Sequence, residues 1–320
     1  GSSPLAGAGG ACSKRAHTLS AVGMEDAGPA IVGRTPPPTR ALPVEKQVLR
    51  WKDPESKVDV VIVGTMHYNP RSISVAAGAV GDKAKGSGGL SALVLETCPK
   101  RWKKTLELQP SGSMMRMVFD NEFQAAFDAA GGAEGGVEVV LGDQRIEDLG
   151  PAMKAMAVTT ALDLLTPSGW GRLASDYKRC YKNDIVGLGP EVGITMADFG
   201  DPLLLAALPV ALVRYPLAWV IKAPKAVVPV VALLAFIAAI PDLIPMGADI
   251  DGVYQPTSLE LGVTFFFFLV NTLEVTVLTR LFLVTLLEKR NTILADSIRA
   301  AAAAAAPGSA VVAVLGAAHL

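Results

Sequence analysis

The sequence predicts an α/β fold: a central, mostly parallel sheet with flanking helices, interrupted by an inserted hydrophobic helical block. Short apolar runs rich in β-branched residues, such as VDVVIVG at 58–64 and VVAVLG at 311–316, are typical of buried parallel strands. Helical patterns separate such runs, which indicates strand–helix–strand units. Between residues 203 and 287 apolar residues become so dense that membrane segments are predicted inside the fold.

Composition limits the partners of the chain. Of its 320 residues 51% are hydrophobic and 18% are charged, with a mean hydropathy of +0.39. Soluble domains usually carry roughly a quarter charged residues, so a membrane partner is predicted. The net charge of −1 gives no overall field for nucleic acid, and no nucleic-acid partner is expected. The three cysteines, Cys12, Cys98 and Cys180, show no zinc or disulfide spacing.

Residues 1–43 are predicted to be a disordered leader, because they are rich in Gly, Ala, Ser and Pro and show no periodicity. Basic residues outnumber acidic ones there, which matches the composition of a transit-peptide remnant. An ordinary flexible tail would have the same composition, and both interpretations stay open. The first predicts an organelle membrane, with the chloroplast favoured over the mitochondrion.

Two separated stretches, residues 44–200 and 285–320, are predicted to form one α/β domain, with residues 201–284 as the hydrophobic membrane block between them. The first stretch opens with a strand that contains Val48 and Trp51. The motif Asp53-Pro54-Glu55-Ser56 then predicts a turn into the next strand.

A βαβ unit follows this turn. Its predicted parts are a strand at Asp59–Val63, a helix from Ser72 to Val80, and a strand at Ala92–Leu95. The crossover makes the two strands parallel, so their carboxyl ends meet at one edge of the sheet. We therefore expect His67 and Glu96 to lie side by side at that edge.

The remaining elements of the domain follow from the same patterns. A helix is predicted from about Glu122 to Ala130, a strand at Val137–Leu141 and a helix over Ile146–Leu165. The stretch from Asp176 to Asp184 is polar and is predicted to lie at the surface. After the hydrophobic block, an alanine-rich helix leads into a final strand at Ala310–Leu315.

The hydrophobic block contains three apolar segments. Leu203–Ile221 is interrupted by two prolines and by Arg214, so an interfacial or re-entrant helix is predicted. Residues 226–246 and 261–283 are predicted to cross the membrane, because about 20 apolar residues suffice. Two crossings return the chain to the side it left, as one site built from both ends requires. A soluble helical subdomain, or an interface within a homo-oligomer, is the alternative.

Two short motifs point to a shared site. Both Gly64-Thr65-Met66-His67 and Gly316-Ala317-Ala318-His319 follow a predicted strand, and they hold two of the three histidines. In α/β folds ligands bind beyond the carboxyl ends of the strands. The histidines are therefore predicted to meet in one site.

The predicted chemistry is metal-assisted hydrolysis. His67, Glu96 and His319 together would suit a divalent metal such as Mn, Co or Zn, and a metal-bound water could then attack a substrate. Arg101 and Arg290 would hold an anionic or carbonyl group; salt bridges to Glu96 or Asp143 are the alternative. HExxH, GxSxG, Walker and GxGxxG motifs are absent from the sequence.

Five motifs in order give the chain a family resemblance. VVIVGTMHYNPRS, LVLETCPKRW, VVLGDQRIEDL, EKRN and VVAVLGAAHL resemble the TraB/PrgY family, which is related to the Tiki and GumN proteins. The resemblance implies an α/β domain and, as in Tiki relatives, a metal-dependent protease. Its metal ligands would correspond to His67, Glu96 and His319, and the remaining motif residues to Arg101, Arg290 and Asn291.

The sequence departs from the family pattern at two places. Where the third motif often reads Gly-Asp-Arg, this chain has Gly142-Asp143-Gln144, with Arg145 one position later. The hydrophobic block also lies inside the domain, whereas many relatives carry it at the C-terminus. Asn291, Asp143, Gly64 and Gly316 are predicted to position the substrate.

These observations predict a membrane-associated, TraB-like, metal-dependent hydrolase that resembles a peptidase. Glu96, Arg290 and Arg101 would be its catalytic residues, and a peptide or protein its substrate. One alternative is a non-catalytic membrane regulator or adaptor with the same fold. Another is a haem- or small-ligand-binding protein that uses the same sheet edge.

Overall fold

The computed structural model describes residues 42–45, 47–53, 56–132, 136–182, 201–225, 247–250 and 253–319, with single helical positions between 228 and 235. Of the predicted leader only Leu42 and Pro43 are described, and they begin the first strand. The rest of the leader and most of the predicted crossing at 226–246 lie outside the described residues.

The strands form one mixed sheet and a small hairpin. In chain order they are β1 Leu42–Glu45, β2 Val48–Lys52, β3 Asp59–Thr65, β4 Leu90–Leu95, β5 Glu138–Leu141, β6 Ala248–Ile250, β7 Val253–Gln255 and β8 Ala310–Gly316. The sheet order is β1-β2-β3-β8-β4-β5, and β6 pairs with β7 separately. Strands β3, β8, β4 and β5 are parallel, whereas β1 and β2 add an antiparallel edge. The predicted α/β fold with a mostly parallel sheet is confirmed.

Strand β8 lies between the two strands of the predicted βαβ unit. The β3–α–β4 unit is parallel as expected, but β8 lies between β3 and β4 and pairs with both. The carboxyl ends of β3 and β4 therefore lie at one edge of the sheet, as expected, with the end of β8 between them. Every residue of β8 is buried, and a strand covered on both faces belongs at the centre of a sheet.

Nine helices are described besides the 3₁₀ turn Ala317–His319 and the isolated helical positions between 224 and 235. They are α1 Pro70–Lys85, α2 Pro99–Leu108, α3 Met114–Val118, α4 Glu122–Ala129, α5 Ile146–Leu164, α6 Pro167–Cys180, α7 Pro202–Ala206, α8 Leu208–Lys222 and α9 Ser258–Ala304. Helix α1 begins two residues before the predicted cap Ser72, because the side chain of Asn69 accepts from the backbone N–H of Arg71 at 2.9 Å. The predicted surface stretch from Asp176 begins inside α6, where Lys178, Arg179, Tyr181 and Lys182 are exposed and Cys180 is buried.

The core consists of one apolar layer on each face of the sheet. On one face Val61, Leu93 and Val312 pack with Val75 and Ala126 of helices α1 and α4. On the other face, residues that alternate with these along the strands pack against α9: Val60, Ala92, Val94, Val311, Ala313, Leu294, Ile298, Ala301 and Ala302. The alternation of side chains along each strand produces these two layers.

Helix α9 joins the hydrophobic block to the α/β domain without a break. It is α-helical over Ser258–Arg280, π-helical over Leu281–Glu288 and α-helical again over Lys289–Ala304. The predicted boundary at residue 284 lies inside this helix, since neither Gly nor Pro occurs between residues 263 and 306. Of the described helices α9 alone is long and apolar enough to cross a membrane, with a mean hydropathy of 1.9 in its apolar window.

A buried ion-pair network holds α9 against the preceding helices. The guanidinium of Arg280 donates to Asp163 of α5 at 2.8 Å and to Asp176 of α6 at 2.6 Å and 2.9 Å. Arg172 and Arg179 add further ion pairs to the same two carboxylates. The charge of Arg280, at the end of the apolar segment, is thereby compensated by residues of the first stretch.

Candidate functional site

The candidate site lies at the carboxyl edge of the parallel sheet, where β3, β8 and β4 end beside one another. The register pairs Thr65 with Gly316, and the hydroxyl of Thr65 donates to the carbonyl of Leu315 at 2.9 Å. The three chain segments leaving these strands carry His67, Glu96 and His319. The structure thus brings the three predicted metal ligands to one place.

Glu96 is the centre of this cluster and is 5% exposed. Its Oε1 lies 3.1 Å from Nε2 of His319 and 2.5 Å from Nη2 of Arg290. Its Oε2 accepts from the backbone N–H of Gly316. Burial alone would raise the pKa of Glu96, but the hydrogen bond from His319 and the charges of His319, Arg290 and His67 outweigh burial and lower the pKa to about 2.

Gly316 separates Glu96 from His67. A Cβ atom built on Gly316 would lie 3.1 Å from Oε2 of Glu96 and 3.3 Å from Nε2 of His67. Glycine therefore allows both side chains to approach the end of β8. Gly64, the equivalent glycine of the first motif, lies within β3, where its N–H donates to the carbonyl of Gln47 at 2.8 Å. The structure places Gly316 in the site and Gly64 in the sheet.

His67 is held by a carboxylate that sequence analysis did not single out. Nδ1 of His67 contacts Oε1 of Glu122, and Oε2 of Glu122 accepts from the N–H of Tyr68 at 3.2 Å. Glu122 is 1% exposed. Burial would lower the pKa of His67, but the hydrogen bond and charge of Glu122 raise it above its usual value. The sequence feature that pointed to this region was the predicted start of a helix at about Glu122. In the structure the side chain of Asn121 caps this helix, α4.

His319 has a matching arrangement. Its Nδ1 lies 2.6 Å from Oδ1 of Asn291, which is on α9. In both imidazoles Nδ1 therefore contacts an oxygen, and Nε2 is directed at the region between Glu96 and Gly316. Such contacts fix the orientation of an imidazole ring.

Arg101 and Arg290 both pair with Asp143, at the end of β5. Arg290 donates to the two oxygens of Asp143 at 2.8 Å and 2.7 Å, and Arg101 donates to Oδ2. The structure thus contains the salt bridges that were the alternative prediction: Arg290 pairs with Glu96 and Asp143, and Arg101 pairs with Asp143. Because the Asp143 side chain is fully buried, these pairs fix both guanidinium groups beside Glu96.

Gln144 and Arg145, where the chain departs from the Gly-Asp-Arg pattern, lie in different environments. Gln144 is 6% exposed, and its Oε1 has no hydrogen-bond partner among the described residues. Arg145, one position later, is exposed at the start of α5. Gln144, not Arg145, is thus the residue that follows Asp143 into the buried region.

The described residues contain no group of three or more His, Cys, Asp or Glu side chains spaced to hold a metal ion as they stand. In the same part of the chain, Arg290, His319 and Gly316 contact the two carboxylate oxygens of Glu96. No protein-family model, curated protein or solved structure matches the chain. The fold and cluster therefore define an α/β protein with a His–Glu–His cluster at its sheet edge.

Proposed function

We propose that the chain is a TraB-like, metal-dependent hydrolase of peptidase type that acts at a membrane. The observation that carries this proposal is the pair of imidazoles His67 and His319, each with Nδ1 on an oxygen. Nε2 of His319 lies 3.1 Å from Glu96, and Nε2 of His67 faces Gly316. Catalytic metal sites often use two histidines and one carboxylate, with the second nitrogen of each ring held by a hydrogen bond.

The residues present fit a divalent metal by their chemistry. Nε2 of His67, Nε2 of His319 and the carboxylate of Glu96 would hold Mn, Co or Zn, while Glu122 and Asn291 would orient the two rings. When bound, such a metal supplies a water of lowered pKa and polarises a carbonyl group.

The neighbouring side chains support peptide binding. Arg101 and Arg290 present fixed guanidinium groups, which suit a carbonyl or carboxylate of a substrate. Asp143 positions both groups and is itself too buried to contact a substrate.

The proposed location is an organelle membrane, preferably of the chloroplast. Helix α9 supports membrane association by its length and composition. A second crossing within residues 226–246 would keep both Gly-x-x-His motifs on one side of the membrane, as the shared site requires. The proposed homo-oligomer and the transit-peptide leader rest on the sequence alone.

One observation favours a second function, that of a non-catalytic membrane regulator. Both oxygens of Glu96 are already engaged within the protein, so the cluster could serve as a structural ion-pair network. A fold does not determine activity, because activity depends on the site.

Metal analysis of the purified full chain separates the two functions. We expect about one Mn, Co or Zn per chain in the wild type and in a His17→Ala control, and none in a His67→Ala/His319→Ala double variant. The wild type should also hydrolyse members of a peptide library, with products identified by mass spectrometry. A wild type without stoichiometric metal would refute the hydrolase and support the regulator.

A further inference from the structure

The inner face of α8 covers part of the candidate site. The ring of Tyr215 stacks on the imidazole of His67, with centroids 6.0 Å apart and planes 5° from parallel. Nζ of Lys222 donates to the hydroxyl of Tyr68 at 3.0 Å. Ala211 and Ala218 on the same face are buried. The helix is thus attached to the site from its middle to its last turn.

The outer face of α8 is apolar and exposed. Around the helix axis, the positions opposite Ala211 and Ala218 form a broad arc without a charged residue. Its largest members are Leu212, Val213, Leu217, Trp219 and Val220, with exposed fractions of 48% to 65%. An exposed apolar face of this extent indicates a contact with something other than the described residues.

The length of α8 excludes a membrane crossing by this helix. Its 15 residues correspond to about 22 Å, whereas a spanning helix needs about 20 residues. A helix that has one exposed apolar face and is attached to the protein by its other face is suited to lie in the plane of the membrane interface.

Helix α9 brings a bilayer to the same edge of the sheet. Its last part packs on the sheet through Leu294 and Ile298 and passes the carboxyl edge at Asn291, which contacts His319. From Arg290 back to Arg280 is about 15 Å along the helix, and there the exposed apolar segment Ser258–Arg280 begins. A bilayer around that segment would therefore lie close to the site.

Exposed lysines of α2, the helix beside the last turn of α8, suit anionic lipid headgroups. Lys104 of α2 donates to the carbonyl of Lys222, which places α2 against the last turn of α8. Lys100 and Lys103 on α2 have side chains that are 69% and 80% exposed, and each pairs with an exposed carboxylate, Glu147 at 3.1 Å and Glu107 at 3.9 Å. Such cations are attracted to the negative surface potential of an anionic bilayer.

From this geometry we infer that the outer face of α8 docks on an anionic bilayer and that the candidate site opens at the membrane surface. Resting on the proposed function, the inference also assigns the substrate class: a peptide segment close to the point where a membrane-anchored chain leaves the bilayer. A distance of about 15 Å corresponds to about five extended residues.

Tryptophan quenching by brominated lipids tests the docking. The four tryptophans are at positions 51, 102, 170 and 219, so α9 contributes none. In anionic vesicles with brominated acyl chains, we expect Trp219→Phe to remove most of the quenching. Trp51→Phe is the control, because Trp51 pairs with Val60 near the opposite edge of the sheet.

Three results would overturn the docking. The first is equal quenching in wild type and Trp219→Phe. The second is quenching that does not fall, by about twofold or more, when Lys100, Lys103 and Lys104 are changed together to Gln. The third is cross-linking between Leu212→Cys chains in vesicles, which would make this face an interface between copies of the chain.

The substrate class has a separate readout. Peptides joined to a lipid anchor by linkers of three or twenty residues, and the same peptide without an anchor, are offered to the wild type in the vesicles. We expect the short-linked peptide to be cleaved at least tenfold faster than the free one. Equal rates would overturn the substrate class. Quenching without cleavage of any peptide would refute the hydrolase and leave the docking standing.

Discussion

Nε2 of His319 lies 3.1 Å from Oε1 of Glu96, although the two residues come from different halves of the chain. The contact depends on the central position of β8, which ends beside both β3 and β4. It also depends on Gly316, whose N–H binds the other oxygen of the same carboxylate. The second Gly-x-x-His motif therefore supplies an imidazole and a backbone donor to one glutamate.

Gly316→Ala should perturb the site more than the fold. The added Cβ would lie 3.1 Å from Glu96 and 3.3 Å from His67, so both side chains must shift. We expect a free energy of unfolding lower by about 1–2 kcal/mol and a reduced metal content. Gly78→Ala is the control: nothing lies within 4 Å, and alanine in a helix should stabilise by about 0.5–1 kcal/mol. Equal changes in both variants would contradict the prediction.

Glu122→Gln tests the orientation of His67. The amide has the shape of the carboxylate but is a weaker acceptor for Nδ1, so the ring should be held less firmly. We expect metal affinity to fall about 10- to 100-fold in a competition titration with a metal-binding dye. Asp128→Asn, on the same helix but exposed, should leave the affinity unchanged. An unchanged affinity in Glu122→Gln would argue against His67 as a ligand.

Arg290→Met should destabilise the protein strongly. It removes a guanidinium that pairs with Glu96 and Asp143, which leaves buried carboxylate charge poorly compensated. We expect a loss of about 3 kcal/mol in thermal or denaturant unfolding. Arg299→Met, on the same helix with an exposed ion pair to Asp296, should lose less than about 1 kcal/mol. Similar losses would mean that the network contributes little.

The burial of the Lys222 side chain predicts that the stability of the protein depends on pH. Burial lowers the pKa of Lys222 from 10.5 to about 8. The negative charge of Glu122 acts against this shift, and the positive charge of Lys104 adds to it. Between these pH values the unfolded chain binds more protons at this lysine than the folded chain does, so stability should rise with pH. Thermal unfolding from pH 7.5 to 10.5 should show a larger rise for the wild type than for Lys222→Met. The exposed Lys225→Met control should follow the wild type.

Much of the fold follows from local patterns. The runs at Asp59–Thr65, Leu90–Leu95 and Ala310–Gly316 were recognisable as buried strands because their β-branched residues are apolar on both faces. The crossover rule then directed their carboxyl ends to one edge. Together with the two Gly-x-x-His motifs, this rule predicted the sheet edge at which His67, Glu96 and His319 come together.

Other features required the tertiary structure. Glu122 is far from both motifs in sequence, and a carboxylate in the first turn of a helix normally indicates only a favourable interaction with the helix dipole. Its contact with His67 arises because α4 packs on α1, the helix that begins three residues after His67. The order of β3, β8 and β4 in the sheet could not be predicted from the sequence either, since periodicity identifies strands but not the strands with which they pair.

The sequence by itself determined the α/β class, the apolar block and the residues that meet at the sheet edge, because each depends on local periodicity or on chain direction. Only the tertiary structure decided the partners: Arg290 on Asp143, Glu122 on His67, and Tyr215 of α8 stacked on that same imidazole. Hydrogen bonds and ion pairs depend on distances of a few ångströms between distant segments, and those distances are set by packing.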